Sequence, residues 1–205
     1  MLYFNTVSEE LLVIIKTICG DGYFNKFRLF GGTALSLQIG HRISIDADFI
    51  CDSEFYSDEL ILKLQQIYPN QITDIRQNKL GVYIKINGIK VDFLSWKIPF
   101  IRPILKDAEV RLMHLEEIIA TKLYAILNRG EKKDYIDIAT LLDTYTLNEM
   151  ISYYQEKYNN SDSSILLKYL CSFSDIDFQA EPNMLIELDW ENAKKKITVA
   201  VQAII

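Results

Sequence analysis

The chain has 205 residues, enough for one large domain or a core with a smaller appendage at the usual size of about 150 residues per domain. Hydrophobic residues make up 49% and charged residues 24%, which excludes a disordered, collagen-like or coiled-coil chain. Lysine and arginine number 22 against 28 aspartates and glutamates, so the net charge is −6. This acidic balance excludes a general basic coat for nucleic acid, although it leaves room for a local basic cleft.

Cysteine, histidine and apolar patterns narrow the class of protein further. Three widely spaced cysteines without a CxxC pair indicate a reducing compartment and not a disulfide framework. Neither His41 nor His114 lies near a cysteine, so we expect both to be structural or solvated, with no structural zinc. The N-terminal stretch lacks the basic start of a signal peptide, and no apolar run approaches the roughly 18 residues of a membrane span. We therefore expect a cytoplasmic protein that does not bind membranes.

The first half of the chain alternates predicted helices and strands. Ser8, which precedes two glutamates, starts a helix that ends at Gly20. The segments that follow are a strand over residues 27–30, a turn at Gly31-Gly32-Thr33, a short helix over 34–39, a strand over 45–50 and a helix over 57–68. A strand over residues 72–76 then precedes a hairpin with strands 82–86 and 89–94. Asn87-Gly88 joins them, because both residues tolerate the positive φ of a tight turn.

The second half of the chain is predicted to be helical. Pro99 and Pro103 break the earlier pattern, so we place a boundary between an α/β core, residues 1–105, and a helical region, residues 106–205. The predicted helices cover residues 115–127, 135–142, 161–172 and 189–205, and another starts at the capping-box pair Thr146 and Glu149. Strands and a hairpin followed by a helical bundle indicate the α+β class.

The most informative stretch, residues 29–50, holds two carboxylates on one predicted strand. Asp46 and Asp48 are two residues apart, so their side chains point to the same face. Two unpaired carboxylates at this range repel one another and favour protonation. A divalent cation relieves that repulsion, and hard carboxylate oxygens suit Mg²⁺ or Mn²⁺. Asp46 and Asp48 are therefore candidate metal ligands.

A third carboxylate and a glycine pair complete this pattern. Asp92 lies in the closing strand of the hairpin between Val91 and Phe93, so it points to the face opposite these apolar residues. Gly31 and Gly32, ahead of a helix, present free backbone N–H groups suited to phosphate. Three acids beside an anion site are what two-metal phosphoryl or nucleotidyl transfer requires.

These residues carry a resemblance to known enzymes. Gly32-Thr33, twelve further residues and then Asp46-Ala47-Asp48-Phe49 resemble the hG[GS]…Dh[DE]h signature of the polymerase-β-like nucleotidyltransferase superfamily. The blocks GGTALSLQIGHRISIDADF and IATKLYAILNRGEKKDYIDI resemble more closely the AbiEii/AbiGii family of nucleotidyltransferase toxins, over residues 25–145. The resemblance implies a mixed-sheet nucleotidyltransferase core, with the C-terminal helical region completing the active-site cleft.

The residues and the resemblance together assign roles. Asp46, Asp48 and Asp92 would bind the metal ions, and Asp92 would help to deprotonate the acceptor hydroxyl. The nucleotide phosphates would be bound by Gly31, Gly32, Thr33, Ser44, Lys122 and Lys133. Asp134 or Asp137 would lie near the active site or orient the basic residues. The sequence does not decide which of these two aspartates is essential.

Several of these assignments have a plainer alternative. Lys122 could extend to the surface, which is the commoner position of a lysine on an amphipathic helix. Residues 131–134 could be a solvated helix start. Tyr153, Tyr154 and Tyr158 could stack nucleobases, but their helical spacing favours packing.

The resemblance implies metal-dependent transfer of a nucleoside monophosphate from an NTP to an acceptor, with release of pyrophosphate. The acceptor would be RNA, such as a tRNA 3′ end. The protein would be the toxin of a bacterial toxin–antitoxin or abortive-infection system, with its antitoxin encoded nearby. The alternatives are a nucleotidyltransferase that modifies a small molecule or a protein, and a catalytically silent relative that binds a partner. The sequence leaves the preferred NTP and the oligomeric state open.

Overall fold

The computed structural model describes residues 1–159 and 162–204. Within this part of the chain the strands are β1 (Arg28–Phe30), β2 (Ala47–Cys51), β3 (Ile72–Asn78), β4 (Gly81–Ile86), β5 (Ile89–Ser95), β6 (Leu105–Asp107) and β7 (Val110–Leu112). The α-helices are α1 (Glu9–Gly20), α2 (Gly31–Ile39), α3 (Ser57–Ile67), α4 (Leu115–Asn128), α5 (Lys132–Leu141), α6 (Leu147–Tyr158), α7 (Ser164–Leu170) and α8 (Trp190–Gln202). The predicted helix start at residue 161 and helix end at residue 205 lie outside the described residues.

The strands form one mixed sheet in the order β3-β4-β5-β2-β1-β7-β6. β1 runs antiparallel to β2 and parallel to β7, whereas β2 runs parallel to β5. Phe24, Phe27, Phe49 and Phe93 are buried beside one another, with ring centroids 5.3 to 6.4 Å apart. A mixed sheet followed by packed helices confirms the α+β class.

Local sequence signals explain where several elements begin or turn. The Ser8 side chain accepts a hydrogen bond from the backbone N–H of Leu11 and so caps α1. Asn87 and Gly88 adopt φ angles of 49° and 83° between β4 and β5, which confirms the predicted hairpin. Thr146 forms the predicted capping box at the start of α6.

Helix α2 begins earlier than predicted. Gly31, Gly32 and Thr33 form its first turn and not a separate turn ahead of it. The prediction was wrong because glycine costs about 1 kcal/mol relative to alanine inside a helix, which favours a turn when only the sequence is read. Gly31 has a φ of 72°, a left-handed conformation that lets the chain pass directly from β1 into α2. The two glycine N–H groups therefore belong to a helix N-terminus.

The hairpin of β6 and β7 was not predicted. We expected only helices in the second half of the chain, but two strands of three residues each precede its first helix, α4, which starts at Leu115. Segments this short show no readable periodicity, and their pairing partners decide their structure. β7 pairs with β1 through Leu29 and Leu112, so it belongs to the same sheet as β2 and β5. The division of the chain into two domains stays a prediction.

The helices after β7 pack on one another and on the first half of the chain. α4 contacts α2, α5, α6 and α7, and α5 contacts α8. Trp190 is buried at the start of α8, and its indole N–H donates to Asp177 Oδ1 over 2.6 Å. Across residues 1–159 and 162–204, every helix is too short or too polar to cross a membrane.

Candidate active site

One cleft of about 740 Å³ lies between the sheet and the helices. Side chains of β2 and β5 line its floor, the first turn of α2 closes one side, and α4 and α5 line the facing wall. The predicted site residues that line it are Gly31, Gly32, Ser44, Asp46, Asp48, Asp92, Lys122, Lys133 and Asp134. Thr33 and Asp137 lie deeper, with exposed fractions of 1% and 0%.

The three predicted metal-binding carboxylates lie on neighbouring strands. Asp48 of β2 and Asp92 of β5 are direct partners in the parallel register, and Asp46 immediately precedes β2. The alternate residues Ala47 and Val91 are fully buried on the opposite face. Strand alternation therefore places Asp48 and Asp92 side by side on the cleft face.

These carboxylates repel one another. Burial, together with the charge of Asp46, raises the pKa of Asp48 to about 7, although Lys90 and Lys122 oppose the rise. Burial also raises the pKa of Asp92, even though Lys90 Nζ lies 2.8 Å from its Oδ2 atom. A carboxyl group that is half protonated near neutral pH marks negative charge that neighbouring cations do not balance.

The donor set fits a hard divalent cation, although its members are not gathered into a ligand cluster. Asp92 Oδ1 is buried, and the described part of the chain offers it no hydrogen-bond partner. Within that same part, no three His, Cys, Asp or Glu side chains are grouped to hold a metal ion. An unsatisfied buried oxygen and two raised pKa values are the features that a bound cation would relieve.

The N-terminus of α2 faces the carboxylates. A Cβ atom added to Gly31 would lie 3.2 Å from Asp48 Oδ2, and one added to Gly32 would lie 2.5 Å from Arg42 Nη2. The α2 backbone can approach Asp48 and Arg42 this closely because Gly31 and Gly32 have no side chain. Free N–H groups at a helix start, next to an arginine, form an arrangement that binds phosphate oxygens.

Substitution of Gly32 by alanine tests this close approach. The new Cβ must displace Arg42, whose Nη2 atom donates to Asp137 Oδ2 over 3.0 Å. We expect G32A to lose about 1.5–3 kcal/mol of unfolding free energy, the contribution of a hydrogen bond between charged groups, and to bind NTP more weakly. Urea unfolding and titration calorimetry measure the two effects. Gly20→Ala is the matched control because its Cβ meets nothing within 4 Å, and equal behaviour of the two variants would contradict this reading.

Thr33 and Ser44 lie under the start of β2. Thr33 Oγ1 lies 2.7 Å from Ser44 Oγ and 2.5 Å from the carbonyl oxygen of Asp46. Thr33 was predicted to bind the nucleotide phosphates, and this role stays a prediction. Its side chain contacts protein, because Thr33 is on the buried face of the first turn of α2. These contacts fix the segment that carries Asp46.

A buried ion network supports the facing wall. Lys122 Nζ lies 2.8 Å from Asp134 Oδ1 and 2.6 Å from Asp137 Oδ2. Burial alone would lower the pKa of Lys122, but the two carboxylates outweigh it and hold the pKa above its usual value. Burial would likewise raise the pKa of Asp137, but Lys122 and Arg42 hold it well below its usual range. Lys122 is therefore a buried cation, and the alternative in which it extends to the surface is wrong.

Two further residues belong to this network: Arg42, for which the sequence offered only a weaker phosphate-binding role, and His41, which was not predicted as a site residue. Arg42 donates to Asp137 Oδ1 through Nε over 2.7 Å, and His41 Nε2 lies 2.7 Å from the same oxygen. His41 was predicted to be structural or solvated, and it is fully buried. Adjacent histidine and arginine between Gly40 and the acidic strand were the available signal. Their shared carboxylate, Asp137, lies far away in the sequence.

Basic residues at the rim face the same cleft. Arg129 donates to Asp134 Oδ2 over 3.1 Å, and Lys133 Nζ lies 2.8 Å from Glu131 Oε2. Lys132 and Asp134 are buried, so the alternative of a solvated helix start is wrong for these two residues. Lys133 is half-buried and lines the cleft.

Comparison with known proteins agrees with this geometry. The family model described as "Nucleotidyl transferase AbiEii toxin, Type IV TA system" matches residues 16–203. An uncharacterised protein of Aquifex aeolicus is 30% identical over 193 residues, which cover 92% of this chain and 93% of that protein.

Solved structures share the fold. JHP933 from Helicobacter pylori superposes with a TM-score of 0.58 at 21% identity, over 97% of this chain and 93% of its own. MenT4, a nucleotidyltransferase toxin from Mycobacterium tuberculosis, superposes with a TM-score of 0.56 at 13% identity, over 87% and 76% of the two chains. The family model matches almost the whole sequence. This match shows that the chain belongs to the AbiEii family of nucleotidyltransferases and that it is a transferase enzyme.

Proposed function

We propose that the protein transfers a nucleoside monophosphate from an NTP to RNA with the help of Mg²⁺ or Mn²⁺, and that it acts in the cytoplasm as the toxin of a toxin–antitoxin pair. One observation carries the proposal. Asp48 and Asp92 are partners in the strand register, with Asp46 beside them, and they lie next to the first turn of α2 in a cleft walled by buried Lys122. Carboxylates beside a phosphate-binding helix start are the arrangement that nucleotidyl transfer requires.

The residues of the cleft divide the reaction between them. Asp46, Asp48 and Asp92 would hold the divalent ions, which when bound supply the positive charge that offsets the triphosphate. Gly31 and Gly32 present backbone N–H groups to the phosphates that leave as pyrophosphate.

The bond changes follow from this arrangement. The acceptor oxygen forms a bond to the α-phosphorus, and the bond from that phosphorus to the bridging oxygen breaks, so that pyrophosphate leaves with the electron pair. Asp92 accepts the hydroxyl proton or passes it to solvent. Lys122, fixed between Asp134 and Asp137, would donate its remaining N–H to the phosphates.

Labelled NTP identifies the acceptor class. Purified protein is incubated with each of the four NTPs, labelled at the α-phosphorus, and with separate pools of tRNA, protein and aminoglycoside. We expect label in tRNA or another RNA. Label confined to protein or to the small molecules would replace RNA by one of those acceptors. No label in any pool, together with capture of a single partner protein, would favour a catalytically silent relative.

The toxin role has a separate test. We expect expression of the wild-type chain to arrest bacterial growth, and co-expression of the antitoxin encoded beside it to restore growth. An Asp46→Asn, Asp48→Asn variant should not arrest growth. Equal arrest by that variant would show that any toxicity is independent of nucleotidyl transfer.

The affinity for Mg²⁺ should depend on pH through Asp48. The pKa of Asp48 is raised to about 7, and Mg²⁺ binds the ionised form, so the affinity rises as pH increases through 7. Between about pH 6 and pH 8 the ionised fraction grows about tenfold, and the affinity should follow. Titration calorimetry measures it, with Asp48→Asn as the variant that should lose most of this dependence. The stability of the metal-free protein should depend on pH in the opposite direction. Because folding raises the pKa of Asp48, its carboxyl group lowers the free energy of unfolding progressively as pH rises from about 4 to 7.

A further inference from the structure

The cleft is also lined by an aromatic pair that the roles above do not use. Trp96 directly follows β5 and Tyr124 lies on α4, and both line the cleft with part of their surface exposed. Their ring centroids are 5.3 Å apart and the planes meet at 60°. Tyr158 of α6 stacks on Tyr124 at 4.7 Å with an interplanar angle of 18°, and its centroid lies 5.9 Å from that of Trp96. The two rings are therefore held from behind by a third.

The strand register fixes the end of the cleft at which this pair lies. Asp92 and Trp96 both line the cleft, and the Trp96 N–H continues the pairing of β5 with β2 by donating to the Cys51 carbonyl over 2.9 Å. At about 3.3 Å per residue, Trp96 lies about 13 Å beyond Asp92 in the direction in which β2 and β5 run. Gly31 lies at the opposite end, because β1 is antiparallel to β2 and its last residue, Phe30, pairs with Asp48.

The geometry of phosphoryl transfer then separates the two substrates. The attacking and leaving oxygens lie roughly in line through the phosphorus. With the departing pyrophosphate at the start of α2 and the phosphorus at the carboxylates, the attacking hydroxyl arrives from the end at which Trp96 and Tyr124 lie. We propose, resting on the function proposed above, that these two rings stack the terminal bases of the single-stranded nucleic acid whose hydroxyl accepts the nucleotide.

The chemistry of this wall favours a base over the other acceptors. An aromatic ring stacks on any base for about 1–3 kcal/mol, independent of sequence. Stacking of this kind needs a flat aromatic partner, which a nucleobase provides and a polycationic aminosugar lacks.

Binding of a labelled RNA tests the stacking role of Trp96 and Tyr124 independently of nucleotidyl transfer. The probe is a short single-stranded RNA with a free 3′ hydroxyl, compared with the same RNA carrying an abasic 3′-terminal nucleotide. We expect Trp96→Ala to weaken binding of the intact RNA about 5- to 150-fold and to leave binding of NTP unchanged. Trp96→Phe keeps a ring and should retain most of the affinity, which also guards against misfolding. Tyr56→Ala is the matched control, since Tyr56 is 78% exposed and lies outside the cleft lining.

The abasic RNA separates stacking from general attraction. It should bind the wild-type protein more weakly than the intact RNA, and Trp96→Ala should reduce its binding little further. If Trp96→Ala weakens NTP binding and leaves RNA binding unchanged, the two rings hold the base of the NTP and the proposal is overturned. Unchanged binding of both ligands would make the rings packing residues only. A wild-type protein that binds NTP but no RNA overturns the acceptor assignment while nucleotidyl transfer to another acceptor stands.

Discussion

Replacement of both Asp46 and Asp48 by asparagine should reduce nucleotidyl transfer by about a thousandfold or more. Each factor of ten corresponds to about 1.4 kcal/mol, and metal ions contribute several kcal/mol of transition-state stabilisation that this variant can no longer recruit. Asparagine keeps the size of the side chain, so the fold should persist. A single-turnover assay with labelled NTP measures the loss.

The same variant should be more stable than the wild-type chain when no metal is present. The raised pKa of Asp48 shows that the ionised carboxylate is disfavoured in the folded state, and an amide removes that repulsion. Asp52→Asn is the matched control, because Asp52 follows β2 directly and is exposed. A double variant with wild-type transfer, or one that loses transfer no more than Asp52→Asn does, would refute the catalytic role of these carboxylates.

Substitution of Asp137 by alanine should lower the unfolding free energy by about 3–5 kcal/mol, because it leaves buried cations without their counter-charge. Asp137 is fully buried, and its carboxylate oxygens lie 2.6 to 3.0 Å from side-chain nitrogens of Arg42 and Lys122. For a chain of this length the midpoint of thermal unfolding should fall by about 2–4 °C for each kcal/mol lost. Urea unfolding measures the change. The matched control is Asp143→Ala just after α5, whose exposed ion pair with Lys196 should contribute at most about 1 kcal/mol.

Asp134 and Asp137, which the sequence did not separate, should therefore behave differently. Asp134 lines the cleft and holds Lys122 and Arg129, so Asp134→Asn should weaken NTP binding more than it weakens the fold. Asp137 lies beneath the cleft and ties Lys122 to the segment after α2, so its loss should first appear in stability. The opposite order of effects would mean that Asp137 and not Asp134 faces the nucleotide.

The parts of the site that the sequence predicts are those set by local geometry. Alternate residues on a strand share a face, and an Asn-Gly turn fixes a hairpin, so the positions of Asp48 and Asp92 follow from the sequence. Asp46 was predicted on the same strand, but β2 begins one residue after it, at Ala47. The Arg42 contact with Asp137 spans 95 positions and depends on how α5 packs against the end of α2. Nothing in the neighbourhood of either residue encodes that approach.

Backbone detail accounts for the other differences. The orientation of Thr33 depends on whether α2 starts at Gly31 or at Ala34, and a left-handed Gly31 decided this in a way that average propensities do not capture. Three-residue strands such as β6 and β7 take their structure from their pairing with each other and with β1. In both cases, tertiary contacts select a conformation that the local sequence leaves undetermined.

The ion network around Asp137 also limits which fragments of this enzyme can fold on their own. Arg42 and His41 come from the segment that leads into β2, whereas Asp137 and Lys122 come from helices after β7. A fragment ending at residue 105 would keep a buried arginine without its carboxylate and would also lose the strand that covers β1. The sheet with its three acids is therefore not a transplantable module. Truncation, circular permutation or exchange of the helical region between relatives would have to carry both halves of this network together.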